Sequence, residues 1–203
     1  MPVSGISRAT TGRLPEYLTY VKSLPNDIRF VSSTAIAQGL ELGEVQVRKD
    51  LSAVCGKGKP KVGYDRDELL SSLETALDTR SGCEAVIVGA GKLGKALLGF
   101  GGFSDYGIII RKAFDISPDA GSPDILPIDD LPSYCSLHQT EIGIICVPPE
   151  AAQDAADMLV RSGISAIWCF APVRLRLPDS VKVQYENLAL SLAHLHQKVK
   201  SIH

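Results

Sequence analysis

Residues 84–94, Glu84-Ala85-Val86-Ile87-Val88-Gly89-Ala90-Gly91-Lys92-Leu93-Gly94, decide the fold. Residues 85–88 form an unbroken apolar run, the pattern of a parallel strand buried on both faces. The run empties into Gly89, Gly91 and Gly94 at the spacing G-x-G-x-x-G. In that spacing the first glycine makes a tight turn, the second lets the backbone approach a pyrophosphate, and the third lets the next helix lie close to the strand. The helix that follows begins with unpaired N–H groups facing the phosphate site. Gly89 to Gly94, with Ala90, Lys92 and Leu93 between, is therefore the expected cofactor loop.

A lone glycine motif is a weak signal, and its surroundings carry the reading. A second apolar run, residues 108–114, ends in Asp115, where a dinucleotide site needs a carboxylate for the adenosine ribose hydroxyls. No Arg or Lys stands just after Asp115, and a carboxylate there repels a 2′-phosphate, so the expected cofactor is NAD(H) rather than NADP(H). A turn-rich segment, 117–127, leads to a short helix near 128–135. Residues 142–147 read as a buried strand, 149–161 as an Ala-rich helix with Pro at its start and Gly163 past its end, and 166–170 as another strand. This alternation predicts an α/β, Rossmann-type doubly wound parallel sheet with its ligand at the strands' C-terminal edge. Val147 and Pro148, and Phe170, Ala171 and Pro172, lie at that edge, where the nicotinamide half would rest. They could equally be plain turn residues.

The chain has 203 residues, 45% of them apolar, enough for a sizeable core in one or two domains. No apolar stretch is long enough to cross a bilayer and no apolar signal segment opens the sequence, so a cytoplasmic protein without membrane partners is expected. Five dispersed cysteines without a C-x-x-C pair argue against a disulfide framework and a zinc site. Cys146 and Cys169 read as small buried hydrophobes. His194 and His196, two apart on a predicted helix, point to different faces, and no metal site is expected. The net charge of −2 hides an asymmetry: residues 1–64 hold nine Lys/Arg against five Asp/Glu, and the remainder twelve against eighteen. A basic amino-terminal third suggests a module that meets an anion, nucleic acid first, though a solvated face produces the same excess.

In that third, Thr10 or Thr11 is the expected cap of a first helix carrying Leu14, Tyr17, Leu18 and Val21, with Pro15 in its first turn. A second helix fits 33–38, capped by Ser32 or Ser33. A third fits 44–54: Val47, Leu51 and Val54 cluster on one side, with Val45, Arg48, Lys49 and Ser52 opposite and Gln46 at the edge. A helix with one buried face and Gln, Arg, Lys and Ser on the other is what a helix-turn-helix inserts into a groove. Arg and Lys can bond guanine or phosphate, and Gln can bond adenine. The glycine-rich loop 55–64, with Lys57, Lys59 and Lys61, reads as the wing of a winged-helix domain or as an ordinary solvated hairpin, followed by a helix at 65–77. A helical protein-interaction module is the alternative to DNA binding.

The expected organisation is a winged-helix DNA-binding domain at 1–80, an NAD(H)-binding domain at 81–184 and a dimerisation helix at 185–203. The last helix, 186–200, sets Leu188, Leu192, Leu195 and Val199 along one side, suited to a second subunit or to its own sheet. A homodimer also suits a reader of palindromic DNA. No His stands at a predicted strand end, and only about 120 residues follow the linker, one nucleotide domain without a catalytic partner. The expectation is a cofactor that is sensed by a protein that is not an enzyme; the alternative is a small NAD-dependent reductase whose helical module serves oligomerisation.

Several stretches together resemble the Rex family of redox-sensing transcriptional repressors over nearly the whole chain. They are Ile6-Ser7-Arg8-Ala9-Thr10 with Arg13-Leu14-Pro15, then Gln46-Val47-Arg48-Lys49-Asp50-Leu51-Ser52, Val62-Gly63-Tyr64, the glycine turn, Ala113-Phe114-Asp115, Val147-Pro148 with Glu150-Ala151-Ala152, and Phe170-Ala171-Pro172-Val173. The resemblance implies a homodimer, exchanging C-terminal helices, that binds operator DNA when NAD⁺ is high and releases it when NADH rises. It implies that Arg48 and Lys49 read DNA, with Arg8 and Arg13 also at the DNA-binding end, and that Arg13 helps to hold the DNA-binding form. The chain departs from the family at two of Arg13's switch partners: Asn187 stands for an acid and Phe100 for an aromatic hydroxyl, so neither offers Arg13 a charge or a hydroxyl. The wing also departs, with Ala53 to Lys57 replacing a bulkier pattern and Pro60-Lys61 standing for Arg-Gly.

Overall fold

The computed structural model describes residues 6–79, 82–118 and 121–200. The chain divides into two compact units, Met1–Gly82 with Asp105–Gly107, and Cys83–Ser104 with Ile108–His203.

The first unit holds α1 (Arg8–Ser23), β1 (Phe30–Val31), α2 (Ser33–Gly39), α3 (Glu44–Cys55), β2 (Tyr64–Asp65) and α4 (Arg66–Ala76). Its core sets Leu14, Tyr17, Leu18 and Val21 of α1 against Ile36, Val47, Leu51, Leu69 and Leu73 of the other three helices. Ser7, not Thr10 or Thr11, caps α1, its side chain accepting from the Thr10 amide at 3.1 Å. The helix thus starts earlier than the apolar spacing suggests, and Pro15 falls in its interior, where it has no N–H for the turn below. Strands β1 and β2 pair antiparallel, Val31 opposite Tyr64, and a Lys59–Gly63 bridge closes the short hairpin before them. Gly63 takes φ 97°, and a Cβ there would lie 2.4 Å from the Val31 carbonyl oxygen, so only glycine lets the hairpin cross β1 this closely.

The second unit is built on six parallel strands in the order β5-β4-β3-β6-β7-β8. They are β3 (Cys83–Val88), β4 (Ile108–Asp115), β5 (Ile125–Pro127), β6 (Ile142–Ile145), β7 (Ala166–Cys169) and β8 (Lys182–Tyr185), with α5 (Lys92–Leu98), α6 (Leu131–His138), α7 (Ala152–Arg161) and α8 (Leu188–Lys200) between and after them. From β3 the chain winds outward through β4 and β5, then returns to β6 on the other side. The crevice beyond β3 and β6 is therefore the switch point where open α/β sheets take ligands. One face of the sheet packs Phe114, Ile145 and Ile167 against Leu131, Cys135 and Leu159, and the other sets Ile87 and Ile144 beside Leu97, Trp168 and Phe170.

Strands β5 and β8 lie at the two sheet edges, and the sequence pattern missed both. The first is three residues inside the stretch read as turns, and the second alternates exposed with half-buried residues. Asn187 and Glu186 also fall outside the last helix. The Asn187 Oδ1 accepts from the Leu190 amide at 2.9 Å and caps α8, while Glu186 accepts from the Trp168 indole N–H at 3.3 Å. No residue of α8 is buried, and Leu188, Leu192, Leu195 and Val199 are all more than half exposed, so this helix does not pack on its own sheet. Among the described residues no helix is long and apolar enough to cross a membrane, and no three His, Cys, Asp or Glu side chains converge as metal ligands.

Candidate functional site

A cleft of about 650 Å³ opens at the switch point, lined by Gly89 and Gly91 of the loop, Asp115 at the end of β4 and Ile116 after it, Val147 and Pro148 after β6, and Ile128, Asp154 and Met158 from the far wall. Backbone geometry explains the three glycines one by one. Gly89 has φ 99°, and a Cβ on it would lie 2.8 Å from the Cys146 carbonyl carbon. A Cβ on Gly94 would lie 2.0 Å from the Gly89 carbonyl oxygen, so α5 reaches the strand only without one. A Cβ on Gly91 would meet no protein atom within 4 Å. Gly91 lines the cleft, so the absence of its side chain leaves room for a ligand instead of a neighbour. Lys92 and Leu93 open α5 beside it.

Asp115 binds the loop itself: its Oδ2 accepts from the Ala90 amide at 2.6 Å and its Oδ1 from the Ser117 amide at 2.9 Å. Each carboxylate oxygen keeps a further lone pair, so the group can hold the loop and still accept from ribose hydroxyls. Most of the exposed lining is apolar, as an adenine pocket requires. Burial pushes the Cys146 thiol up to about 12, which leaves it protonated and inert at neutral pH. Phe170, Ala171 and Pro172 follow β7 at the same sheet edge but do not line this cleft. Phe170 lies tilted against Trp168 with ring centroids 4.5 Å apart, and Ala171 and Pro172 line a separate recess with Asn187.

In the first unit, α3 buries Val47 and Leu51 and shows Val45, Gln46, Arg48 and Lys49 to solvent, with Ser52 half-buried. Arg48 pairs with Glu44 one turn back, and Lys49 lines an open recess with Arg13, Gln46 and Asp50. Lys57, Lys59 and Lys61 are exposed around the hairpin, the Lys59 ammonium 5.7 Å from the Phe30 ring centroid. The side chain of Arg8 lies outside the described residues.

Arg13, in the same recess, is clasped by Asp50 of α3. Its Nε and Nη2 donate to the two oxygens of Asp50 at 2.8 and 3.0 Å, and that carboxylate also accepts from Tyr17 Oη at 2.7 Å and Thr10 Oγ1 at 2.9 Å. Burial pushes the Asp50 carboxyl up, but the four hydrogen bonds outweigh it and leave the group below its ordinary value. The bond to Asp50 raises Arg13 further above its already high value, while burial first, and then Asp50, lift the Tyr17 phenol to about 12. Sequence reading missed Asp50 as a functional residue. The signal was there: a carboxylate beside Val47 and Leu51 on the buried side, facing Thr10, Arg13 and Tyr17 along one side of α1. Phe100 is exposed and meets Phe103 edge-on, and Asn187 caps α8.

A family model described as "CoA binding domain" matches residues 82–173, and one described as "Putative DNA-binding protein N-terminus" matches residues 5–52. The chain is 39% identical over 189 residues to the redox-sensing transcriptional repressor Rex of Treponema denticola, covering 90% of each. A solved structure of RSP in complex with β-NAD⁺ and operator DNA superimposes with a TM-score of 0.87 at 31% identity, covering 97% of this chain and 93% of that one. RSP in complex with β-NADH superimposes at 0.83 and 30% identity over 98% and 96%. With a nucleotide-fold cleft, a helix that shows Gln46, Arg48 and Lys49 to solvent and relatives matching over both units, the chain belongs to the Rex family of redox-sensing transcriptional repressors.

Proposed function

We propose that this chain is a cytoplasmic, homodimeric repressor that binds palindromic operator DNA when NADH is low and is released when NADH binds. The observation that carries the reading is one chain holding both a glycine-loop cleft shaped for a dinucleotide and a helix that buries one face while showing Gln46, Arg48 and Lys49. Gly89 to Gly94, Asp115, Val147 and Pro148 are assigned to NAD(H). The carboxylate of Asp115 disfavours an adenosine ribose that carries a phosphate, which argues against NADP(H) and coenzyme A alike. Gln46, Arg48, Lys49 and Ser52 are assigned to the major groove, and Lys57, Lys59 and Lys61 to phosphate. The unburied apolar side of α8 is assigned to the second subunit. The side chains available for chemistry in the cleft are few, the thiol of Cys146 being inert and Asp115 tied to the loop, so no turnover of NADH is expected. Gel shifts on palindromic promoter fragments test the reading. Retardation with NAD⁺ and loss of it with NADH supports it, and identical shifts overturn it.

A second reading is favoured by Phe100, Asn187 and Arg13: a Rex-type protein whose redox response is weakened. Asn187 caps α8, Phe100 has no hydroxyl, and Arg13 is held by Asp50. The pair Phe100→Tyr and Asn187→Asp should then strengthen the effect of NADH on DNA affinity. A double variant indistinguishable from its parent counts against this reading.

A further inference from the structure

Gln46 is exposed on the reading side of α3, and its carboxamide lies against the guanidinium of Arg13. Set with its oxygen toward the cation, that oxygen is 2.7 Å from Nε, 3.1 Å from Nη1 and 3.3 Å from Nη2. A point so near all three nitrogens lies over the guanidinium plane, not in line with one N–H. The in-plane hydrogens on Nε and Nη2 already go to Asp50, so the contact is that of a carbonyl dipole on a cation. The opposite setting would place the NH₂ group, the positive end of the amide dipole, on that cation. Arg13 in turn cannot swing aside without uncovering a carboxylate that is 4% exposed.

We infer that Arg13, clasped by Asp50, fixes the polarity of the Gln46 amide, so that Gln46 offers the groove hydrogen-bond donors only and selects guanine over adenine. The familiar Gln–adenine pair needs the amide oxygen for the adenine N6–H and the amide NH₂ for N7. Here the oxygen is engaged, so over adenine the NH₂ keeps only the bond to N7 and faces the N6 amino group donor to donor. Guanine presents two acceptors, O6 and N7, and no donor to the same NH₂. Arg13 is thus a positioning residue acting through Gln46. This inference rests on the repressor reading and deepens it.

The test is selection of binding sites from randomised palindromes with the full-length protein, its Gln46→Ala variant and the double variant Arg13→Met with Asp50→Asn. The base read by Gln46 is the position whose preference flattens in Gln46→Ala. At that position the parent should favour guanine over adenine by about tenfold. The double variant removes the cation and its counter-charge together, which frees the amide to turn over, and adenine should gain at that position alone. A general weakening of DNA binding, the effect of a merely structural clasp, would not move one base preference. Adenine preferred by the parent, or no position altered by Gln46→Ala, overturns the inference while leaving the repressor reading intact. Failure of the parent to enrich any sequence overturns both. Should the double variant not fold, the comparison of parent with Gln46→Ala decides the matter.

Discussion

The two units make their sites from different material. The cleft of the second unit is made by the main chain: Gly89, Gly91 and Gly94 act through what they lack, and the side chains around them are mostly a wall. The recess of the first unit is made by side chains: Arg13 on Asp50, Tyr17 and Thr10 behind it, Gln46 on top. A site written in backbone tolerates almost no added atom, whereas a site written in side chains can be redirected by exchanging partners.

The largest effect expected from that difference is Gly94→Ala. A Cβ 2.0 Å from the Gly89 oxygen forces α5 off the strand, which should destabilise the second unit by about 3 kcal/mol and abolish measurable NADH binding. Thermal melting and nucleotide fluorescence titration together measure this. Gly91→Ala sharpens the contrast, because its Cβ meets no protein atom. Stability should hold while NADH affinity falls by about tenfold or more, the gap an alanine side chain would open against a pyrophosphate. Loss of stability in that variant would mean that Gly91 serves the fold.

In the first unit, Asp50→Ala leaves Arg13, Tyr17 and Thr10 without their acceptor and should cost about 3 kcal/mol in urea denaturation. Asp50→Asn, which keeps an acceptor, should cost less. The carboxyl is held below its unfolded value, so its contribution is present above the ordinary carboxylate range and is lost as pH falls through the lower, folded value. Stability of the parent should therefore decline in acid more steeply than that of Asp50→Asn. Smallest is the wing: each of Lys57, Lys59 and Lys61 changed to Ala should reduce the slope of log affinity against log salt by about one and leave sequence preference alone.

The same contrast explains what could be read from the sequence. The central strand, the glycine loop and Asp115 were legible because a buried parallel strand needs an apolar run and the turn after it needs glycines at set spacings. The edge strands β5 and β8 were not, since β5 is only three residues long and β8 buries no residue fully. The start of α1 was misplaced because Thr10 and Ser7 are both fit to cap a helix. Ser7 does so, and Thr10 is drawn to Asp50 instead. The bond between Arg13 and Asp50 was not legible because the two stand 37 residues apart in sequence. Phe170, Ala171 and Pro172 were placed at the right edge of the sheet but not in the cleft, because strand order fixes an edge and side-chain direction fixes a lining.

The most direct measurement of the central claim is calorimetric titration of NADH into the full-length protein, free and saturated with operator DNA. Linkage requires that, if NADH weakens DNA binding, DNA weakens NADH binding by the same factor. NADH affinity should fall about tenfold or more on the DNA complex while NAD⁺ affinity holds or rises. Equal NADH affinities for the free and DNA-bound protein would contradict the account.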